Sequence, residues 1–328
     1  MRANDASQEA AQPRIDVKSE IARTLIDAME RGDTPWQKPW KAQSLRPVNP
    51  TSGNGYRGIN RILLALSGRD DPRWMTYQQA QANQWQVRRG EKGTQIVKLV
   101  ELSPREVAQN GAEAGGQAAE QGGEEQRRAF ALKRYTVFNA QQIEGIPEWE
   151  APSALEFDSV ERAEAVMGAL QEQTGLLVVH GGAQACYMPA LDEVRLPTKK
   201  SFHSVYDYYA TALHEGAHST LHAKRLDRKE ALAKKWGDEA YAVEELRAEI
   251  CSAILAAETG VPMSQAHIDN HAAYLKQWVR AVAADPMAIF SAAKDAEAMA
   301  TYMLGLERQR TALGEHREWV DDYERSMK

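Results

Sequence analysis

His214-Glu215-Gly216-Ala217-His218 is the stretch from which this chain is read. Two histidines four apart on an α-helix project from the same face, one turn apart. Their imidazoles can share one Zn²⁺, and the Glu after the first His can reach a water on that ion. Residues 202–213, just before the motif, contain neither Gly nor Pro. They are predicted to run as helix into it, with Ser204 as the N-cap.

A zinc site of this type needs a third protein ligand and one position left open for water. A third His six residues after the second would fall at position 224, which is Lys224. His222 follows His218 by four, but a third helical His at that spacing has rotated away from His214, so it is read as a neighbouring or surface group. A second helix, predicted over 239–258, offers carboxylates instead. Val243, Leu246, Ile250, Ile254 and Ala257 form its apolar stripe at helical spacing. Glu245 sits beside that stripe with Ala242, Glu249 and Ser252, and the small neighbours permit close approach to the first helix. The expected metal ligands are therefore His214, His218 and Glu245. Glu244 is the alternative third ligand and is otherwise expected to point outward with Arg247 or Ala248. Glu249, one turn past Glu245, is expected to hold the free ring N–H of a ligating His. Glu215 is the expected general base.

The chain has 328 residues, enough for two ordinary domains, and 43% apolar with 26% charged residues is a normal globular balance. No run of eighteen apolar residues occurs, so no membrane association is expected. The first twenty residues are charged throughout and lack the apolar core of a secretory leader. Only Cys186 and Cys251 occur, which fits two free thiols and a cytoplasmic location. The net charge of −6 hides an asymmetry. Residues 34–100 hold eleven Lys and Arg against three Asp and Glu, whereas residues 151–328 hold nineteen against twenty-seven. A basic N-terminal lobe is joined to an acidic C-terminal one.

The pattern of elements predicts an α+β protein: a small N-terminal α/β lobe, then a mostly helical domain with a short sheet. Residues 1–14 are polar and read as a disordered tail. The first domain is placed at 15–149. It opens with a helix over 15–31 ended by Gly32, and a second helix covers 62–66. A third is predicted over 74–85 with Thr76 as cap. Strands are predicted at 86–87 and 94–100 around the basic turn Arg88-Arg89-Gly90-Glu91-Lys92-Gly93. A strand over 129–139 pairs with 96–100, and about 101–128 forms a flexible Gly-rich insertion. The second domain, 150–328, is predicted to contain a helix over 159–173, strands over 176–180, 185–188 and 193–196, the two metal-site helices, and helices over 271–284 and 286–306. Val194-Arg195-Leu196 is expected to be an edge strand that could align a peptide by strand addition.

Unpaired nucleic acid is held by a positive groove with aromatic faces on which bases stack. The N-terminal lobe interleaves both. Trp36, Trp40 and Tyr56 alternate with Lys38, Arg57, Arg88, Arg89 and Lys92, and these eight are the expected single-stranded-DNA contacts. Trp74 and Trp85 read as core.

The ordered motifs carry a further reading. They are Pro35-Trp36-Gln37-Lys38-Pro39-Trp40, Gly55-Tyr56-Arg57-Gly58-Ile59-Asn60, Trp74-Met75-Thr76-Tyr77, Arg89-Gly90-Glu91-Lys92-Gly93 and Tyr135-Thr136-Val137-Phe138-Asn139 in the first domain. In the second they are the His214 motif, Arg225-Leu226-Asp227-Arg228, and Tyr241-Ala242-Val243-Glu244-Glu245-Leu246. Together they resemble the ArdC-like antirestriction proteins of conjugative plasmids, whose N-terminal region is shared with plasmid TraC-type primases. The resemblance spans nearly all of residues 15–306. It implies a single-stranded-DNA-binding domain, a zincin-like metallopeptidase domain holding one Zn²⁺ per chain, and protection of incoming DNA from restriction. No primase catalytic domain is expected within these residues. A bulky residue usually follows the motif Glu in that family, where this chain has Gly216, and a mid-helix Gly costs about 1 kcal/mol relative to Ala, so the helix is expected to be locally looser. Two other readings stay open: a regulatory zinc metallopeptidase that cleaves a cytoplasmic protein, and a DNA-binding module whose zinc is purely structural.

Overall fold

The computed structural model describes residues 16–33, 46–103, 130–150, 159–228, 239–262 and 274–326. Residues 1–14, Trp36, Lys38, Trp40 and nearly all of the expected insertion lie outside these. The fold is mixed α and β, with eight α-helices and three small sheets among the described residues.

Helix α1, Val17–Glu30, buries Ala22, Leu25, Ala28 and Met29 at helical spacing and ends before Gly32. Helix α2 is Ile59–Ala65, and its Asn60 side chain clips it to the first sheet, donating to Val97 O at 2.7 Å and accepting from Val97 N at 2.9 Å. That sheet has the order β1-β4-β3, with β1 Trp74–Met75, β3 Thr94–Glu101 and β4 Phe130–Asn139. β3 and β4 run antiparallel from Thr94↔Val137 to Glu101↔Phe130, the pairing that the alternating pattern predicts. β2, Gln86–Val87, pairs instead with β5, Ile143–Glu144. The basic turn therefore joins two different sheets.

The predicted helix over 74–85 is corrected. Trp74 and Met75 are strand, and α3 covers only Tyr77–Ala82. Thr76 caps it through a reciprocal capping box with Gln79. The helix stops because Gln84 turns left-handed, at φ 62°, which sets Trp85 outside it.

The second unit begins with α4, Ser159–Thr174. A mixed sheet follows in the order β6-β8-β7, where β6 is Leu177–His180, β7 is Cys186–Met188 and β8 is Glu193–Leu196. β8 is thus the central strand, parallel to β6 and antiparallel to β7, with Val194 and Leu196 buried. The expectation that 194–196 form an edge is overturned, and β7 is the edge on that side. Then come α5 Val205–Ser219, α6 Glu239–Thr259, α7 Leu275–Ala284 and α8 Met287–Ser326. α8 exceeds the helix expected over 286–306: it runs 40 residues, because residues 307–326 carry one Gly and no Pro.

One apolar cluster spans both units, from Leu25 and Ile62 to Leu170, Leu213, Leu246, Trp278 and Met303. Arg61 reinforces the join, reaching Glu297 at 2.8 Å and Glu258 at 3.8 Å, and Arg46 reaches Glu258 at 3.2 Å. Gly216 lies inside this core and allows a close approach rather than loosening its helix. A Cβ there would stand 2.9 Å from Met167 Sδ and 3.1 Å from Met303 Cε. Replacing Gly216 by Leu is expected to destabilise the fold by about 1–3 kcal/mol through overpacking. Adding Met167→Ala should restore much of the loss. Urea unfolding of the two variants checks this, and a Gly216→Leu protein as stable as the parent would refute the packing assignment.

Candidate metal centre

Helix α5 is fixed at both ends. Ser204 Oγ accepts from Asp207 N–H at 3.1 Å at its start. At its end the chain turns back, and the fully buried Arg225 guanidinium donates to Ser219 O at 2.6 Å, to Thr174 Oγ1 at 3.1 Å and to both oxygens of Asp192. Tyr187 O–H also donates to Asp192, at 3.0 Å. This clamp pins the β7–β8 turn, where Asp192 has φ 50°, against the end of α5.

Between α5 and α6 the side chains of His214, His218 and Glu245 converge. The two Nε2 atoms are 3.2 Å apart. Glu245 lies 3.6 Å from His214 Nε2 through one oxygen and 3.5 Å from His218 Nε2 through the other. A tetrahedral ion with ligands at 2.0–2.1 Å has ligand-to-ligand edges of ~3.3 Å. The two Nε2 atoms are spaced as neighbouring ligands of such an ion, one atom from each of the three residues lies within 4.8 Å of the others, and two imidazoles with a carboxylate suit a divalent metal.

The remaining ring nitrogens are backed by carboxylates. His214 Nδ1 lies 3.4 Å from Glu249, which has no exposed surface, and His218 Nδ1 lies 3.4 Å from Glu244. Glu244 is thus a correction to the facing argument: it is buried, not directed outward. Arg228 holds it, donating to Oε2 at 2.7 Å and to Oε1 at 3.1 Å. Carboxylates in this position fix the tautomer and raise the basicity of a ligating His. Glu244 and Arg228 are the site residues that the faces of one helix did not show. The motif Arg225-Leu226-Asp227-Arg228 was the signal. His222 lies apart, 3.7 Å from Asp192.

Burial opposes a charged imidazole, but Glu245 and Glu249 outweigh it and raise His214 to about 9. His218, likewise opposed by burial, is held well above its ordinary value by Glu245 and Glu244. Burial pushes Glu215 up, against the pull of the two histidines, and the backbone of Tyr187 on the β7 edge also opposes the rise. Burial and then Glu245 drive Tyr241 far up, and Tyr241 is hydrogen-bonded to Glu245 and Tyr274. It stays protonated, an O–H donor beside the third ligand. Sequence reasoning gave Tyr241 no role.

Of the expected DNA contacts, Arg57, Arg88, Arg89 and Lys92 are exposed. Arg88 donates to Gln141 O and Glu91, while the side chains of Arg57, Arg89 and Lys92 have no partner among the described residues. Tyr56 is half-buried, and its hydroxyl donates to Trp74 O at 3.1 Å. Trp74 itself is buried in a small cluster with Leu64, Ile96 and Val137.

Fold and site define a protein with a zincin-like metal centre joined to a second, N-terminal unit. Residues 162–295 match the family described as zincin-like metallopeptidase, and residues 15–138 match the N-terminal domain of anti-restriction factor ArdC. The crystal structure of antirestriction ArdC protein from the R388 plasmid, in its metal-free form, superposes with a TM-score of 0.70 and 32% identity, covering 90% of this chain and 98% of that one. Its Mn(II)-bound structure gives 0.69 and 32%, covering 89% and 98%. A DNA primase TraC of Escherichia coli is 42% identical over 300 residues, 89% of this chain, but the chain spans only 27% of that relative's length. The chain belongs to the ArdC antirestriction family, and its centre is suited to a divalent metal. No helix among the described residues is long and apolar enough to cross a membrane.

Two outcomes are expected for the metal. His214→Ala and His218→Ala should abolish metal binding and Glu244→Gln should weaken it roughly 10–100-fold, whereas His222→Ala should leave it intact. Metal analysis after dialysis reads this, and equal loss in His222→Ala would sink the ligand assignment. The second concerns protons. Below about 9 the metal-free His214 is charged, so the ion must displace a proton. Affinity should rise with pH through that value, and calorimetry in buffers of different ionisation heat should show proton release at pH 7, with His218, also raised, contributing to it. Sign is the check: uptake instead of release contradicts the charge state.

Proposed function

We propose that this protein binds single-stranded DNA through its N-terminal unit, protects DNA that enters a cell by conjugation from restriction, and acts in the cytoplasm. Its second unit carries one Zn²⁺ held by His214, His218 and Glu245 in a centre of metallopeptidase type. The observation that carries the reading is the convergence of those three residues with buried Glu215 beside them. A structural zinc site is closed by four protein ligands, whereas a catalytic one keeps three and an open position. That favours a reactive centre over a purely structural ion.

When bound, Zn²⁺ supplies a Lewis acid that polarises a carbonyl and makes water nucleophilic near neutral pH. Glu215 would take a proton from water and return it to the leaving amine, and burial raises its pKa toward that task. Tyr241, hydrogen-bonded to Glu245, would orient that carboxylate for the ion. β7, the edge strand whose Tyr187 backbone acts on Glu215, is the strand along which an extended peptide can add. That edge supports a peptide or protein substrate.

DNA binding is supported by charge and exposure. Arg57, Arg88, Arg89 and Lys92 are exposed cations on the N-terminal unit, and Trp36, Lys38, Trp40 and half-buried Tyr56 complete the proposed contact set. Stacking adds about 1–3 kcal/mol per base and ignores sequence, so a preference for unpaired strands with little base specificity is expected. Protection follows from covering the strand.

Glu215→Gln separates the two activities. It should keep its metal, keep DNA affinity within about threefold, which is below the tenfold that 1.4 kcal/mol represents, and still protect transferred DNA, while losing any metal-dependent peptide cleavage. Transfer efficiency into restricting and non-restricting recipients is the readout. Loss of protection with DNA binding and folding intact would favour instead a regulatory peptidase that cleaves a cytoplasmic protein.

A further inference from the structure

A groove of about 590 Å³ opens where the N-terminal unit meets α8. Its size falls in the ~300–1,000 Å³ range of small-ligand sites. One wall is Arg57 and Gly58, just before α2. The other is the face of α8 that presents Lys294, Ala298, Thr301 and Tyr302. Those positions recur at i, i+4, i+7 and i+8, so they share one side of the helix.

The segment before and into α2 isolates Arg57. Tyr56 bonds to Trp74 O, Gly58 N–H donates to Glu297 at 3.3 Å, Ile59 is core, and Asn60 clips Val97. Only Arg57 is left exposed and without a partner among the described residues. Across the groove, Lys294 is equally exposed and equally without a partner among them. The acids nearby on α8 are already engaged. Glu297 takes two hydrogen bonds from Arg61, at 2.8 and 3.0 Å, and Asp295 takes one from Arg247 at 2.8 Å. The groove floor therefore presents no free carboxylate to repel an anion. Tyr302 packs against the main core on one side and lines the groove on the other, which holds its ring in place before any ligand arrives.

We propose that this groove seats one nucleotide unit of single-stranded DNA, with its phosphate between Arg57 and Lys294 and its base against Tyr302. The inference rests on the DNA-binding reading above and extends it: the strand leaves the N-terminal unit and crosses α8. Two flanking cations and an anchored aromatic ring are the ingredients of a single-strand subsite. The acidic unit thus contributes directly to DNA binding, although its net charge argues against that.

The test is fluorescence anisotropy of the full chain with a fluorescein-labelled oligodeoxythymidylate at several salt concentrations. Lys294→Ala and Arg57→Ala should each weaken binding about threefold to tenfold and reduce the salt slope by about 0.7, the value for one phosphate contact on a single strand. The double variant should lose less than the product of the two, since both meet one phosphate. Lys276→Ala, an exposed cation on α7, makes the same change in net charge and should bind like the parent. Parental affinity and slope in Lys294→Ala, alongside weakened Arg89→Ala, would remove the groove from the path and leave the DNA-binding reading standing. An equal loss in Lys276→Ala would reduce the effect to general charge and overturn the subsite. If the parent protein fails to bind the oligonucleotide, the DNA-binding reading falls and the subsite with it.

Discussion

Three glutamates of one helix, Glu244, Glu245 and Glu249, lie inside this protein, and a buried carboxylate is tolerated only where cations or donors meet it. Much of the second unit answers that requirement. Helix α5 brings His214 to Glu245 and Glu249, and brings His218 to Glu244 and Glu245. The chain after α5 turns through Asp227, at φ 49°, so that Arg228 can reach Glu244. Arg225 holds that same turn to the β7–β8 sheet. Without a metal the histidines carry the compensating protons, which is why His214 is raised to about 9. A divalent cation would supply the same two positive charges at one point. The same carboxylates that stabilise charged histidines would stabilise a bound cation, so the fold is preorganised for one.

The parts of this site that were legible in the sequence are those with local signatures. His214 and His218 declare their helix by spacing and Ser204 declares its start, whereas the stripe from Leu246 to Ala257 marks only one face of α6, a helix that is buried on nearly every side. Glu244 was misjudged because its partner is Arg228, sixteen residues upstream in a loop, and helical periodicity carries no information about a loop. The same limit explains β8. Val194 and Leu196 alternate with exposed Arg195, as either an edge or a central strand on a half-covered sheet would. Only the parallel partner β6, arriving from before the β7 hairpin, makes β8 central. Gly216 looked like a weakness in the helix because propensity is local, whereas its neighbours Met167 and Met303 come from α4 and α8.

Charge counting divided the chain into a basic and an acidic half, and the fold does not keep that division. α1 and α2 pack into the same apolar cluster as α4 to α8. Arg61 is the main polar bolt, buried between Glu297 of α8 and Glu258 near the end of α6. The helix that carries Glu245 and Glu249 is therefore also the one on which the N-terminal unit leans. α8 packs on α6 and α4 and supplies one wall of the inter-unit groove, so it is the element common to the metal centre's support and the proposed DNA path.

The central claim is the identity of the ligand set, and X-ray absorption at the metal edge of the zinc-loaded protein tests it most directly. The account predicts scattering from two imidazoles and from oxygen, all at about 2.0–2.1 Å, with no sulfur at about 2.3 Å. Exposed Cys186 lies on the edge strand beside Glu215 and is close enough for that carboxylate to raise its pKa, after burial. A sulfur shell would bring that thiol into the site, and a third imidazole would bring in His222 or another histidine. Either result would contradict a centre built from His214, His218 and Glu245.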